Sequence, residues 1–264
     1  MLPRVLIIAG SDSGGGAGIQ GDLKTVTMLG GYAATAITAL TAQNTNGVFG
    51  IHAVPDDFIA QQIDLVLSDI GADCIKTGML HSASVIDVIV NHVPKGIPLV
   101  VDTVMVAKGG SPLLEASAIE ALKAKLIPRS HIITPNIPEA ELLLGRKIPD
   151  VASMEQAAHD LVKLGSYAVL LKGGHLDGNE VADILIENSI VTKYSSPRIA
   201  TRHTHGTGCT LASAIATGIA RGLPLERAVL EARTYVLKAL EHAPGLGQGH
   251  GPLGHNYRIA SSSF

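Results

Sequence analysis

The sequence contains no tryptophan, three phenylalanines and five tyrosines, so aromatic side chains make up only 3% of the chain. Base stacking has no platform in such a composition. The formal net charge is −3, and no basic cluster stands out, so phosphate tracking has no footing either. A nucleic-acid partner is therefore not expected. Long apolar runs are also missing: residues 32–42 and 211–220 are the longest of note, well short of the roughly 20 needed to cross a bilayer. Membrane association is not expected. Cysteine occurs twice, as Cys74 and Cys209, far apart in sequence, and sequence alone does not supply the geometry a disulfide needs. With no charged segment and cleavable apolar stretch at the start, the expectation is a cytoplasmic protein with reduced thiols. Linkers, charge blocks and solenoid-like periods are absent too, which predicts one domain over residues 1–264. Residues 245–264, rich in glycine and carrying His250 and His255, are expected to form a loosely packed tail.

What is present is a 46% hydrophobic chain, enough to fill one large core. Apolar strand-like runs at residues 4–9, 33–40, 73–76, 98–101, 131–134 and 168–171 alternate with helical periodicity at 18–29, 56–67, 83–90, 116–126, 138–144 and 153–164. Strands apolar on both faces belong in a buried parallel sheet. The pattern then changes to two strands, 181–187 and 189–194, joined at Asn188, and to helices at 207–221 and 225–240. The predicted architecture is α/β in three layers: a central, mostly parallel sheet flanked by helices, with an antiparallel edge hairpin.

The run Thr204-His205-Gly206-Thr207-Gly208-Cys209-Thr210 precedes a helix of small residues. Its glycines allow successive amides to face one point, and the helix dipole adds positive potential there, so the segment reads as an anion cradle. Cys209 then sits where a thiolate is favoured. The alternative is a shaped loop with a small core cysteine. A second glycine loop runs from Gly10 to Gly21. Gly16, Gly18 and Gly21 match the dinucleotide spacing, but the segment Ala42-Gln43-Asn44-Thr45-Asn46 offers amides where a ribose-binding carboxylate is required. NAD binding is disfavoured on that ground, and no glycine loop supplies a Walker-type P-loop. Asp12 and Asp22 flank a wall suited to a small polar ligand, or else Asp12 and Ser13 cap the helix that follows.

Seven segments occur in order: Ala9-Gly10-Ser11-Asp12-Ser13-Gly14-Gly15-Gly16-Ala17-Gly18-Ile19-Gln20, Thr41-Ala42-Gln43-Asn44-Thr45, Lys76-Thr77-Gly78-Met79-Leu80, Asp102-Thr103-Val104-Met105, Thr134-Pro135-Asn136-Ile137-Pro138-Glu139, Leu171-Lys172-Gly173-Gly174-His175 and His205 to Thr210. Together they resemble the hydroxymethylpyrimidine and phosphomethylpyrimidine kinases of thiamine biosynthesis, over residues 5–239. The resemblance implies a ribokinase-like fold. It implies ATP-dependent phosphorylation of 4-amino-5-hydroxymethyl-2-methylpyrimidine and then of its monophosphate, with Mg²⁺, room for a monovalent cation, and a homodimer.

Carried onto this sequence, the resemblance makes Gly206, Thr207 and Gly208 the transfer centre and Cys209 the base. Gly10, Asp22, Gln43, Met79 and Val104 surround the pyrimidine. Asp102, Thr134, Asn136, Lys172, Gly206 and Gly208 face the ATP phosphates, and Glu139 and Asp102 hold the metal. The chemistry agrees: an amide at Gln43 complements an aminopyrimidine edge, and hard oxygens suit Mg²⁺. Plain alternatives stay open, with Asn136 as a helix cap, Glu139 as a first-turn charge, Met79 as core and Lys172 as a solvated turn residue. Gly21, where many relatives carry alanine, departs slightly from the pattern. Competing functions are a pyridoxine or pyridoxal kinase of the same fold, a non-enzymatic pyrimidine or nucleotide sensor, and an NAD-dependent oxidoreductase.

Overall fold

The computed structural model describes residues 2–106 and 113–260. Six strands run parallel: β1 (Arg4–Asp12), β2 (Tyr32–Asn44), β4 (Cys74–Thr77), β5 (Leu99–Val101), β6 (Ile132–Ile133) and β7 (Ala168–Lys172). Antiparallel strands close both edges, β3 (Gly47–Ala53) beside β2, and β8 (Glu180–Glu187) with β9 (Ile190–Pro197) beside β7. Among the described residues the order is β3-β2-β1-β4-β5-β6-β7-β8-β9.

Successive strand residues face opposite sides, so β1 divides its apolar side chains between two cores. Leu6 and Ile8 belong to a core shared with residues of α2 (Asp56–Asp69), α3 (Ala83–His92), α4 (Ala116–Ala121), α5 (Ile137–Leu144) and α6 (Val151–Val162). Val5, Ile7 and Ala9 belong to a second core with residues of α1 (Gly18–Met28), α7 (Thr207–Ala220) and α8 (Leu225–Glu241). Three layers result, with the strand ends that carry polar residues gathered at one edge of the sheet. None of the described helices is long and apolar enough to cross a membrane.

Three expectations need correction. First, β2 extends to Asn44 and β3 pairs with it, so the sheet has a second antiparallel edge. Glycines at 47 and 50 and the exposed Phe49 and Ile51 broke the alternation that would have announced a strand. Second, the helix expected over 116–126 is α-helical only to Ala121; a π-turn (Leu122–Leu126) and a 3₁₀ turn (Ile127–Arg129) follow, the latter containing Pro128, which has no N–H to continue the ladder. Third, the described part of the tail is packed. His250 N–H donates to Thr45 O (2.9 Å), His205 N–H to Gly251 O (3.1 Å), Gly254 N–H to Ala239 O (2.8 Å), and the Tyr235 hydroxyl to His255 O (2.7 Å). A Cβ at Gly249 or Gly251 would collide with Thr45 or His203, so glycine here permits close approach of backbone rather than looseness. A short helix, α9 (Tyr257–Ala260), ends the described chain.

Candidate active site

The polar strand ends and the start of α7 enclose a cavity of about 650 Å³. In its wall, Gly206 adopts φ +84° as the residue before α7, and no side chain caps the helix; the Thr207 amide donates to Thr204 O (3.3 Å), while the Gly208 and Cys209 amides are left at the uncapped helix start beside the cavity. A Cβ at Gly206 would land on Gly16 O, so both the left-handed backbone and the close approach demand glycine. Thr207 Oγ1 donates to Thr204 O (2.7 Å) and tightens the loop. Cys209 lines the same wall, half-buried. Its thiol is pushed up to about 12, first by burial and further by Asp102 and Asp22, against the pull of Lys76 and the Gly18 amide. This reverses the expected sign: the helix start alone favours a thiolate, but desolvation and two carboxylates outweigh it.

Beside the cradle, Lys172 Nζ at the end of β7 lies 3.5 Å from Asp102 Oδ1 just beyond β5. A Cβ on Gly208 would stand 3.4 Å from that ammonium and 3.8 Å from the same carboxylate oxygen, so both groups border the cradle directly. Thr134 does not line the cavity; it is buried, and its hydroxyl reaches Asp102 Oδ1 at 3.4 Å. Asn136 and Glu139 form a reciprocal capping box at the start of α5, with Glu139 N–H to Asn136 Oδ1 at 3.0 Å and Asn136 N–H to Glu139 Oε2 at 2.9 Å. The plain capping role is thus realised, yet Glu139 also borders the cavity and receives the Thr103 hydroxyl (3.0 Å). Burial raises its carboxyl to about 7, against the pull of Lys172 and with the push of Asp102.

Gly10, Gln43, Met79 and Val104, which the resemblance puts around the pyrimidine, line the same cavity. Asp22 does not. It is fully buried behind the wall, where Lys76 Nζ (2.8 Å) and the Ser213 hydroxyl (2.7 Å) both donate to its carboxylate. Burial raises this carboxyl against those two donors, while Asp22, Cys209 and Asp102 together raise the Lys76 ammonium against its own burial. The Lys76 ammonium and the Asp22 carboxylate make a buried ion pair, and the Ser213 hydroxyl adds a neutral donor to the same carboxylate.

Two groups escaped sequence reasoning. His205 Nε2 contacts Asp12 Oδ2 at 2.8 Å and joins the two glycine loops; the clue was a histidine inside a motif already singled out. Far along the cavity, Arg233 on α8 pairs with Asp183 on β8 and reaches Ser196 (3.3 Å). Charged residues on otherwise apolar faces were the only signal for that pair.

A family model described as phosphomethylpyrimidine kinase matches residues 12–254. The chain is 53% identical over 258 residues to the thiamine biosynthesis bifunctional protein ThiED of Geobacter sulfurreducens, covering 96% of this chain and 53% of that protein, so it spans about half of that relative's length. It is 46% identical over 255 residues to the hydroxymethylpyrimidine/phosphomethylpyrimidine kinase of Bacillus subtilis, covering 96% of this chain and 94% of the relative. Among solved structures, the ADP complex of Bacillus subtilis pyridoxal kinase superposes with a TM-score of 0.91 at 32% identity, over 98% of this chain and 99% of that one. The phosphomethylpyrimidine kinase of Clostridium difficile superposes with a TM-score of 0.79 at 43% identity, over 90% and 99%. Both structures share the parallel core and antiparallel edges of the ribokinase-like fold, and the match of family model and relatives over nearly the whole length shows that the chain belongs to the phosphomethylpyrimidine kinase family.

Proposed function

We propose that this chain transfers the terminal phosphoryl group of ATP to the hydroxymethyl oxygen of 4-amino-5-hydroxymethyl-2-methylpyrimidine, and then to the phosphate of the resulting monophosphate. The observation that carries this reading is one cavity lined together by the uncapped start of α7, Cys209, Lys172, Asp102, Gln43, Met79 and Arg233. In the transfer, the acceptor oxygen attacks the γ-phosphorus as the bond to the leaving ADP oxygen breaks. The amides of Gly206, Gly208 and Cys209 receive the charge on the transferred group, and Lys172 takes a phosphate oxygen. The acceptor proton passes to Cys209. Gln43 supplies a donor and an acceptor to the amino-pyrimidine edge, and Met79 an apolar contact.

The residues present fit Mg²⁺. Asp102 Oδ2 is buried and finds no hydrogen-bond partner among the described residues, so a hard acceptor is left open beside the cradle. No group of three His, Cys, Asp or Glu side chains is arranged around a metal among the described residues, so Asp102 and Glu139 would share the ion with phosphate oxygens and water. Bound there, Mg²⁺ supplies charge neutralisation on the ATP phosphates. Glu139→Gln should raise the half-saturating Mg²⁺ for turnover about tenfold or more. The melting temperature should stay near that of the parent, because glutamine also completes a capping box. A lowered melting temperature with an unchanged Mg²⁺ requirement would reduce Glu139 to a cap. A cytoplasmic homodimer belongs to the same reading.

The pyridoxal kinase reading draws on the closer superposition of that structure, the pyrimidine reading on the higher sequence identity and on Gln43 and Met79. Incubation with MgATP and, separately, the hydroxymethylpyrimidine, its monophosphate and pyridoxine, following ADP and product mass, separates them. ADP formed with both pyrimidines is expected; none with either would refute the proposal.

A further inference from the structure

Four side chains on the pyrimidine side of the cavity share their hydrogens in a way that fixes one of them. The Asp12 carboxylate accepts the Gly14 amide at Oδ1 (2.8 Å) and the Gly16 and Ala17 amides at Oδ2 (3.1 and 2.9 Å). Burial raises this carboxyl, but the His205 hydrogen bond and the amides outweigh it and hold it below the ordinary range. An ionised carboxylate has no hydrogen to give, so His205 Nε2, at 2.8 Å, carries one and donates it. That same Nε2 stands 3.3 Å from Gln43 Nε2. At the other end of the amide, Gln43 Oε1 lies 3.1 Å from Thr41 Oγ1, whose single hydroxyl hydrogen has a shorter path to Ser11 O at 2.9 Å.

With the amide in this rotamer, N–H faces N–H at one end and lone pair faces lone pair at the other. A half-turn about the Cγ–Cδ bond exchanges two isosteric atoms and removes both conflicts. The Gln43 carbonyl then faces the His205 N–H as the second, longer acceptor of the hydrogen that goes first to Asp12, the Gln43 amide donates to Thr41, and Thr41 donates to Ser11 O.

The geometry points to a lock: Asp12 and His205 on one side, and Thr41 on the other, hold the Gln43 amide in a single orientation and so make His205 and Thr41 positioning residues for substrate choice. This rests on the reading above that Gln43 faces the pyrimidine. The consequence is chemical. An aminopyrimidine edge presents an N–H donor beside a ring-nitrogen acceptor; its oxo analogue, with the amino group replaced by a carbonyl, presents an acceptor beside a ring N–H. A freely turning glutamine amide complements both edges, one in each orientation, and a locked amide complements one.

The lock is tested in two ways. Imidazole ¹⁵N shifts of His205 in the intact protein are expected to show a protonated Nε2; a bare Nε2 overturns the proposal without reference to turnover. In kinetics, the parent protein should prefer the aminopyrimidine to its 4-oxo analogue by about 10³-fold or more in kcat/KM. His205→Leu and Thr41→Val should each cut that preference at least about tenfold, with the KM for ATP moved by less than about twofold. His205→Gln, whose amide still donates to Asp12, should keep most of it. Equal losses on both substrates, or an unchanged preference in both Leu and Val variants, overturn the lock. If the parent turns over neither pyrimidine while His205 Nε2 is protonated, the proposed substrate fails and the lock stands.

Discussion

Replacing Cys209 by alanine is expected to lower kcat by about 10² to 10³-fold while the KM values for pyrimidine and ATP change little, as removal of a proton acceptor used only in the transition state should do. The pH dependence makes the expectation sharper. The thiol is pushed up to about 12, so the thiolate is a minor species at neutral pH. A base must be deprotonated to act; with its pKa above the working range, kcat should climb about tenfold per pH unit between roughly pH 7 and 9. Cys209→Asp, whose carboxylate is ionised across that range, should flatten the profile. A flat profile in the parent, or an alanine variant at the parent rate, would remove Cys209 from proton transfer and leave the α7 amides and Lys172 as the source of acceleration.

The parts of this site that sequence made legible are those where one residue type has one use. Gly206 is such a case, because φ +84° and contact with Gly16 O leave no alternative side chain. The strands were legible because β1, β5 and β7 are largely apolar on both faces, a pattern that a covered parallel sheet requires. Pairings were not legible. Asp12 and His205 are 193 positions apart, and nothing local to either predicts that one donates to the other. Asp22 has the spacing of a ligand-facing residue on the first turns of α1, yet it points to Lys76, 54 positions away on β4, since each charge buried there requires the other. The tail misled for a related reason. Glycine density signals freedom in an isolated chain, whereas at Gly249 and Gly251 it serves backbone contact with Thr45 and His203. Local chemistry therefore predicted what each segment does to its own backbone, and long-range charge pairing decided which side chains reach the cavity.

That buried pair carries the second large effect. Lys76 and Asp22 are both fully buried, so Asp22→Asn should leave an ammonium without a counter-charge in the core and destabilise the fold by about 3–5 kcal/mol. At about 2–4 °C per kcal/mol for a chain of this size, the melting temperature should fall by roughly 6–20 °C. Were Asp22 a ligand to the pyrimidine, the KM for that substrate would rise and the melting temperature would hold; a result of that kind contradicts the geometry. The double change Asp22→Asn with Lys76→Met removes both charges at similar volume, keeps an acceptor for the Ser213 hydroxyl and should recover most of the lost stability, because no unpaired charge remains. It should not recover the rate. Lys76 pulls the Cys209 thiol downward more strongly than Asp22 pushes it up, so losing both moves that thiol further up and thins the thiolate population. A double variant that melts near the parent temperature but turns over at least about tenfold more slowly at neutral pH would assign the pair two separable tasks, one in the core and one in the chemistry. Parent-like turnover in that variant would confine the pair to the core.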